Sequence, residues 1–287
     1  MNGVLAQAVA NTGTFRVRVL SALVLAPPVL GAVVYGPPFF DVLVAAGAVI
    51  LAWEWSRLCG GPAPGTMGLV LGGALLTAVA AAALERPDVA LAILLLAFAA
   101  VFGVAAALGR GAAPEDDPGA PDRRLWLAAG VLYIGVPCVA LEWMRADAAL
   151  GRDTVFWLFA VVWAADSGSY GCGRLIGGPR LAPAISPKKT WAGLLGGIAC
   201  AGAAGAATAA VLGNNGVAQP AAFGALMGTV AQGGDLAESW IKRRFGVKDA
   251  GTIIPGHGGL MDRVDGLMAA AVVTALIGLL GHGSVLI

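Results

Sequence analysis

Nine apolar runs follow one another along this chain, near residues 19–35, 40–58, 67–84, 88–109, 125–144, 154–171, 191–213, 220–237 and 264–281. Most approach the ~17–25 residues that a helix needs to cross the hydrocarbon of a bilayer. The composition agrees, with 58% hydrophobic and 12% charged residues against ~45–50% apolar and ~25% charged in soluble domains. The sequence therefore predicts an all-α fold, a polytopic membrane helix bundle of about nine transmembrane helices. The fourth run is crowded at its start by Glu85 to Asp88, and the sixth carries Asp166 inside its apolar pattern. Pro27, Pro28 and the many glycines do not argue against spanning, because neighbouring helices re-satisfy the freed backbone groups within a bundle.

Lysine and arginine favour the cytoplasmic side of membrane proteins. With nine spans and the N-terminus in the cytoplasm, fifteen of the 18 basic residues fall inside, leaving only Arg86, Arg145 and Arg152 outside. Arg16 and Arg18 precede a run that reads as a first span rather than a cleavable signal, with residues 1–15 a short tail. This predicts a multi-pass protein of a bacterial-type inner (plasma) membrane with its polar chemistry facing the cytoplasm. Residues 110–124, RGAAPEDDPGAPDRR, have the mixed charge, proline and glycine of a solvated connector. They divide the chain into N-terminal transmembrane helices (1–109), a cytoplasmic linker (110–124) and a C-terminal transmembrane catalytic region (125–287).

Cys59, Cys138, Cys172 and Cys200 lie in or beside apolar segments without CxxC spacing, so neither a zinc site nor a disulfide framework is indicated. The net charge of +1, with basic residues confined to membrane-flanking loops, gives no nucleic-acid signal.

Two inside loops hold all four lysines: Lys188 and Lys189 in one, Lys242 and Lys248 in the other. Lysine binds phosphate as a compact point charge. The first loop adds Arg174 and Arg180 among glycines that permit close backbone approach; it reads either as a phosphate-holding loop or as an ordinary positive-inside connection. The second begins with GGDLAESWIKRR, where Asp235, Ser239 and Lys242 at i, i+4 and i+7 share one helix face. An ionisable group at that depth is costly unless it is used; the alternative is a structural pair between Asp235 or Glu238 and a nearby base. Downstream, PGHGGLMDRVDG turns through glycines and opens a helix with Asp262 and Asp265 three residues apart. Oxygen ligands without cysteine favour a hard cation such as magnesium, although both aspartates could instead cap the helix or pair with Arg263.

The spacing of Ser239, Lys242, Arg243, Lys248, Asp249, Pro255, His257, Gly258, Gly259, Asp262, Arg263 and Asp265 resembles the signature of the phosphatidate cytidylyltransferase (CDP-diacylglycerol synthase) family. ISPKKT at 185–190, the pattern from Asp166 through Tyr170 to Arg174, GGDLAES at 233–239 and AWEWSRL at 52–58 are similar to it too. Two positions depart: Ala192 stands where the family commonly has a glutamate, and Ser169 where it has a small apolar residue.

The resemblance implies transfer of CMP from CTP to phosphatidic acid with Mg2+, giving CDP-diacylglycerol and pyrophosphate. It implies one or two metal ions held by Asp235 and Asp262, with Ser239 and Asp265 as further metal candidates. Lys188, Lys189, Lys242 and Arg263 would neutralise phosphate charge. Asp166, Tyr170, Arg174, Ser186, Arg243 and Lys248 complete the substrate-binding candidates. His257 is a candidate for phosphate contact, acid-base work or support of the glycine turn. Because a phosphate monoester has a second pKa near ~6, it is already largely ionised and scarcely needs a base. The family also suggests a homodimer amid membrane lipids. The competing readings are an ion pathway, which would spread polar residues across the bilayer, and a CTP-using transferase or kinase with another lipid acceptor.

Overall fold

A computed structural model describes residues 26–60, 66–107, 121–214, 216–251 and 258–281. Nine helices occupy most of these described residues: α1 (Ala26–Tyr35), α2 (Phe39–Gly60), α3 (Thr66–Ala83), α4 (Pro87–Ala107), α5 (Arg123–Ala146), α6 (Gly151–Leu175), α7 (Trp191–Val211), α8 (Ala218–Arg244) and α9 (Met261–Gly281). Each coincides with one apolar run.

Five helices are long and apolar enough to cross a membrane: α2 over Phe39–Cys59, α4, α5, α7 and α9. This is fewer than the nine spans expected. The difference has a physical reason: α6 and α8 reach 25 and 27 residues but carry ionisable groups, and α1 and the apolar part of α3 are shorter. A helical membrane protein is what these helices support.

The fold is all-α as expected, with one small addition that the apolar runs did not announce. A two-stranded antiparallel hairpin, β1 (Arg180–Ala182) and β2 (Ser186–Thr190), joins α6 to α7, pairing Arg180 with Thr190 and Ala182 with Ser186. Its sequence does not alternate like a half-buried strand because the hairpin stands on the bundle with little apolar surface to cover. Thr190 ends β2 and caps α7, its Oγ1 accepting from Gly193 N at 3.1 Å.

Helices α2–α5 pack together, and α6–α9 form a second group; α5 bridges them by packing against α9 and α6 as well. The second group is drawn close by small residues. Gly193, Gly197, Ala201, Gly205 and Ala209 make a buried stripe at four-residue spacing along α7. A Cβ at Gly205 would run into Pro220 O on α8, and one at Gly197 would run into Ser169 Oγ on α6. Small residues at this period let helix backbones approach in lipid, where packing rather than water drives association. Trp157 crosses the same seam and donates to Gly205 O at 3.1 Å.

An aromatic cluster fixes α2, α5 and α8 at one end of the bundle. Trp55 stacks on Tyr133 at 5.0 Å and donates from Nε1 to Trp126 O at 2.8 Å. Trp126 in turn meets Trp240 at 5.8 Å and Phe245 at 5.7 Å. Because aromatic side chains bury large, rigid surfaces, this end of α2 has a defined depth and rotation against α5 and α8.

Candidate active site

Beside the aromatic cluster, the end of α8, the start of α9, the hairpin and α6 bring together polar residues that are far apart in sequence. Along β2 successive side chains point to opposite faces, which separates the two adjacent lysines. Lys188 is exposed, whereas Lys189 turns to α8, with Nζ 2.6 Å from Asp235 Oδ2 and 3.3 Å from Gln232 Oε1. Ser239, one turn further along α8, points Oγ at Asp235 Oδ1 across 3.4 Å.

Two more carboxylates face this pair. Asp166 on α6 interacts electrostatically with Asp235, Lys189 and Arg263, and Asp265 on α9 with Asp235, Asp166 and Lys189. Asp166 keeps accessible surface. Three acidic groups therefore converge on Lys189, with Arg263 beside them. Tyr170 and Arg174 continue the Asp166 face of α6 at i+4 and i+8, joined by a 2.8 Å bond from Arg174 Nη1 to Tyr170 Oη.

A second cluster adjoins the first. Lys242 Nζ bridges Glu238 Oε2 at 2.7 Å and Asp262 Oδ1 at 2.5 Å. The other Asp262 oxygen accepts from Gly259 N at 2.8 Å and Ala250 N at 3.2 Å. Asp262 thus ties α8, the segment after it and the start of α9 into one unit. Beneath lies Glu54 of α2, fully buried, whose two oxygens accept from Leu260 N and Met261 N, each at 2.8 Å. Gly258, at φ +84°, has a conformation L side chains rarely adopt, and a Cβ there would sit 2.9 Å from Asp262 Oδ2.

The fold thus gathers Asp166, Lys189, Asp235, Ser239 and Asp265, and places Lys242 with Asp262 in the adjoining cluster. Arg243 reaches back to the hairpin, donating to Ile185 O at 3.3 Å, and Arg180 donates to Lys188 O at 3.2 Å. Ser186 opens β2, and Lys248 is exposed beyond α8. His257 and Pro255 lie outside the described residues. Of the two departures, Ser169 points into the α6–α7 seam at Gly197 and Ala192 sits in the first turn of α7. Residue patterns alone gave no role to Gln232 or Glu54. AWEWSRL, a run with an acid inside apolar sequence, was the signal available for Glu54.

Whether these residues suit magnesium can be judged from the donors. Among the described residues, no group of three or more His, Cys, Asp or Glu is drawn tightly enough to cage a metal. Magnesium does not require that, since it takes one or two carboxylates and completes its shell with water and phosphate oxygens. Asp235 and Asp265, partly accessible and mutually repelling, fit such a role. Asp262 is the more firmly held, its oxygens engaged by Lys242 and by two backbone N–H groups, whereas Asp235 has Lys189 on one oxygen and only the longer Ser239 contact on the other.

The arrangement is that of a helical membrane protein whose carboxylates and cations converge at one end of the bundle, as handling of a polyanion requires. Residues 16–280 match the model of the cytidylyltransferase family, and the chain belongs to that family. It is 35% identical to a phosphatidate cytidylyltransferase of Pseudomonas aeruginosa (strain PAO1) over 271 residues, covering 93% of this chain and 98% of that one. It is 49% identical to a phosphatidate cytidylyltransferase of Brucella suis biovar 1 (strain 1330) over 160 residues, 54% of this chain but only 57% of that protein's length. A namesake from Mycobacterium tuberculosis (strain H37Rv) is 41% identical over 131 residues, 44% of this chain and 39% of that one.

Proposed function

We propose that this chain transfers CMP from CTP to phosphatidic acid, releasing pyrophosphate and forming CDP-diacylglycerol. Family membership and the names of its relatives support the reaction. The observation that carries the site is the Lys189–Asp235 pair, which joins the hairpin to the carboxylates of α6, α8 and α9.

In this reading an oxygen of the lipid phosphate forms a bond to the α-phosphorus of CTP as the bond from that phosphorus to the bridging oxygen breaks. Pyrophosphate departs with the electron pair. Such transfers depend mainly on positioning and charge stabilisation. Both substrates are anions, so the cations set around the aspartates act first, by drawing the two together. Lys188, Arg174 and Arg180 do so on the exposed side, with Arg263 near Asp166. Lys189 holds Asp235 and reduces the repulsion among the three aspartates. Tyr170 orients Arg174 through their hydrogen bond. Asp235 and Asp265, with Ser239 beside them, are the residues that would hold magnesium. A bound magnesium ion would supply charge neutralisation on the triphosphate. Lys242 and Asp262 hold α8 and α9 in register for this set.

The same reading puts all nine helices across a bacterial inner membrane with the N-terminus and site cytoplasmic. It is supported by the basic residues flanking the site end, since Arg57, Arg123, Lys188 and Lys242 to Arg244 all lie there. Purified protein in detergent, given labelled CTP, magnesium and phosphatidic acid, should yield CDP-diacylglycerol. Absence of any nucleotide-lipid product, under conditions where the Pseudomonas relative works, would reject the proposal.

A further inference from the structure

We infer that Glu54 is a positioning residue for the reaction, holding the first turn of α9 so that Asp262 meets Lys242 and Asp265 faces Asp235. The inference rests on the proposed function. It assigns the N-terminal helices a part in the chemistry done by the C-terminal ones.

The first N–H groups of any helix lack intrahelical partners. A serine, threonine, aspartate or asparagine just before the helix often accepts one of them. Before α9 the chain reads Gly258, Gly259 and Leu260, and none of these has a side chain that can cap. The acceptor comes instead from Glu54, 206 residues earlier than Leu260. Its two oxygens take the N–H groups of Leu260 and Met261 at equal distances of 2.8 Å. An ionised acceptor at a helix N-terminus gains from the charge-assisted bonds and from the partial positive charge there. Those gains offset part of the cost of burying a carboxylate with no solvent exposure.

The surroundings are shaped to admit this group. A Cβ on Gly251 or on Gly259 would approach Glu54 Oε1 to 2.7 Å. The chain therefore passes the same carboxylate twice, once on leaving the segment after α8 and once on entering α9, with glycine at both crossings. Asp262 accepts from Gly259 N and Ala250 N, each the immediate neighbour of a residue touching Glu54. Glu54 is itself held in place, because Trp55 is stacked on Tyr133 and bonded to Trp126 O. A shift at Glu54 is thereby transmitted to Asp262 and then to Asp265, one helical turn along α9. Misplacement of about 1 Å by a remote change is sufficient for roughly 10²-fold in rate.

The test compares Glu54→Gln and Glu54→Asp with the unaltered protein in detergent. Steady-state kinetics give kcat and KM for CTP, and amide hydrogen exchange is read at Leu260 and Met261. Glu54→Gln removes the charge and turns an amide NH2 toward one of the two N–H groups. The expected result is faster exchange at those amides and a roughly 10²-fold lower kcat, with KM for CTP within about threefold. Glu54→Asp, which keeps the charge, should recover part of both. Glu142→Gln, a change to a buried carboxylate of α5 at the far end of the bundle, should leave kcat unaltered. Unchanged kcat in a folded Glu54→Gln protein with freed amides would overturn the inference, as would undiminished protection of the amides. If Glu54→Gln does not fold, Glu54→Asp decides by the same two readings. Failure of the unaltered protein to make a nucleotide-lipid product would instead count against the proposed function, while the anchor is still read from exchange, which needs no substrate.

Discussion

Lys189 Nζ lies 2.6 Å from Asp235 Oδ2, and through this contact the hairpin and α8 act as one surface. The pair is partly accessible, with 18% and 33% of the two side chains exposed. Its value to stability is therefore small, since exposed ion pairs contribute ~0–1 kcal/mol. In the proposed reaction its value is larger, because Asp166 and Asp265 interact with the same lysine.

Lys189→Ala should accordingly leave the fold intact and lower turnover by roughly 10²-fold, the loss that follows when a reacting group is misplaced by about 1 Å. Rates of CDP-diacylglycerol formation beside thermal unfolding in detergent check this. A variant that stays fully active would take Lys189 out of the site.

Asp235→Asn and Asp262→Asn should differ in kind. Asp262 and Lys242 are each only 10% exposed at the side chain, and breaking a buried pair typically costs about 3–5 kcal/mol because one charge is stranded. Loss of turnover with a large fall in Tm is expected for Asp262→Asn. Asp235→Asn should lose turnover with little change in Tm, and equal destabilisation by the two changes would contradict the division into two clusters.

Gly258→Ala should destabilise the start of α9. Its φ of +84° and the 2.9 Å approach to Asp262 Oδ2 add a left-handed conformation to a steric clash; the conformation alone costs about 1–2 kcal/mol. A lower Tm together with reduced turnover is the expected pair of readings. No change in either would show that the turn accommodates a side chain.

Removal of divalent cations by a chelator should abolish turnover, and added magnesium should restore it. Asp265→Asn should raise the magnesium concentration needed for half-maximal rate. Activity indifferent to chelation would remove the proposed role of Asp235 and Asp265 in holding magnesium.

Several features were legible in the residues themselves. The apolar runs located the helices because lipid imposes length and composition on each one separately. The i, i+4, i+7 spacing of Asp235, Ser239 and Lys242 correctly put them on one helix face. Spacing could not say that Lys242 would turn to Glu238 and Asp262 while Asp235 turned to Lys189, since that choice depends on which neighbouring element arrives at each turn. The hairpin escaped notice because ISPKKT contains proline and lacks alternation. Glu54 was hidden for a different reason: its partners are backbone N–H groups, which every residue but proline carries, so no side-chain motif marks the contact. The span count was read from apolarity that α6 and α8 partly give up to carry the site's charged groups.

The contacts of Trp126 with Trp55 at 6.5 Å and with Trp240 at 5.8 Å give the protein an optical property of its own. Three of its eight tryptophans crowd together where α2, α5 and α8 meet, near enough to exchange excitation energy. Any rearrangement of α8 against α2 during a catalytic cycle will alter that exchange, so the intrinsic emission of the unlabelled enzyme should follow the motion in real time.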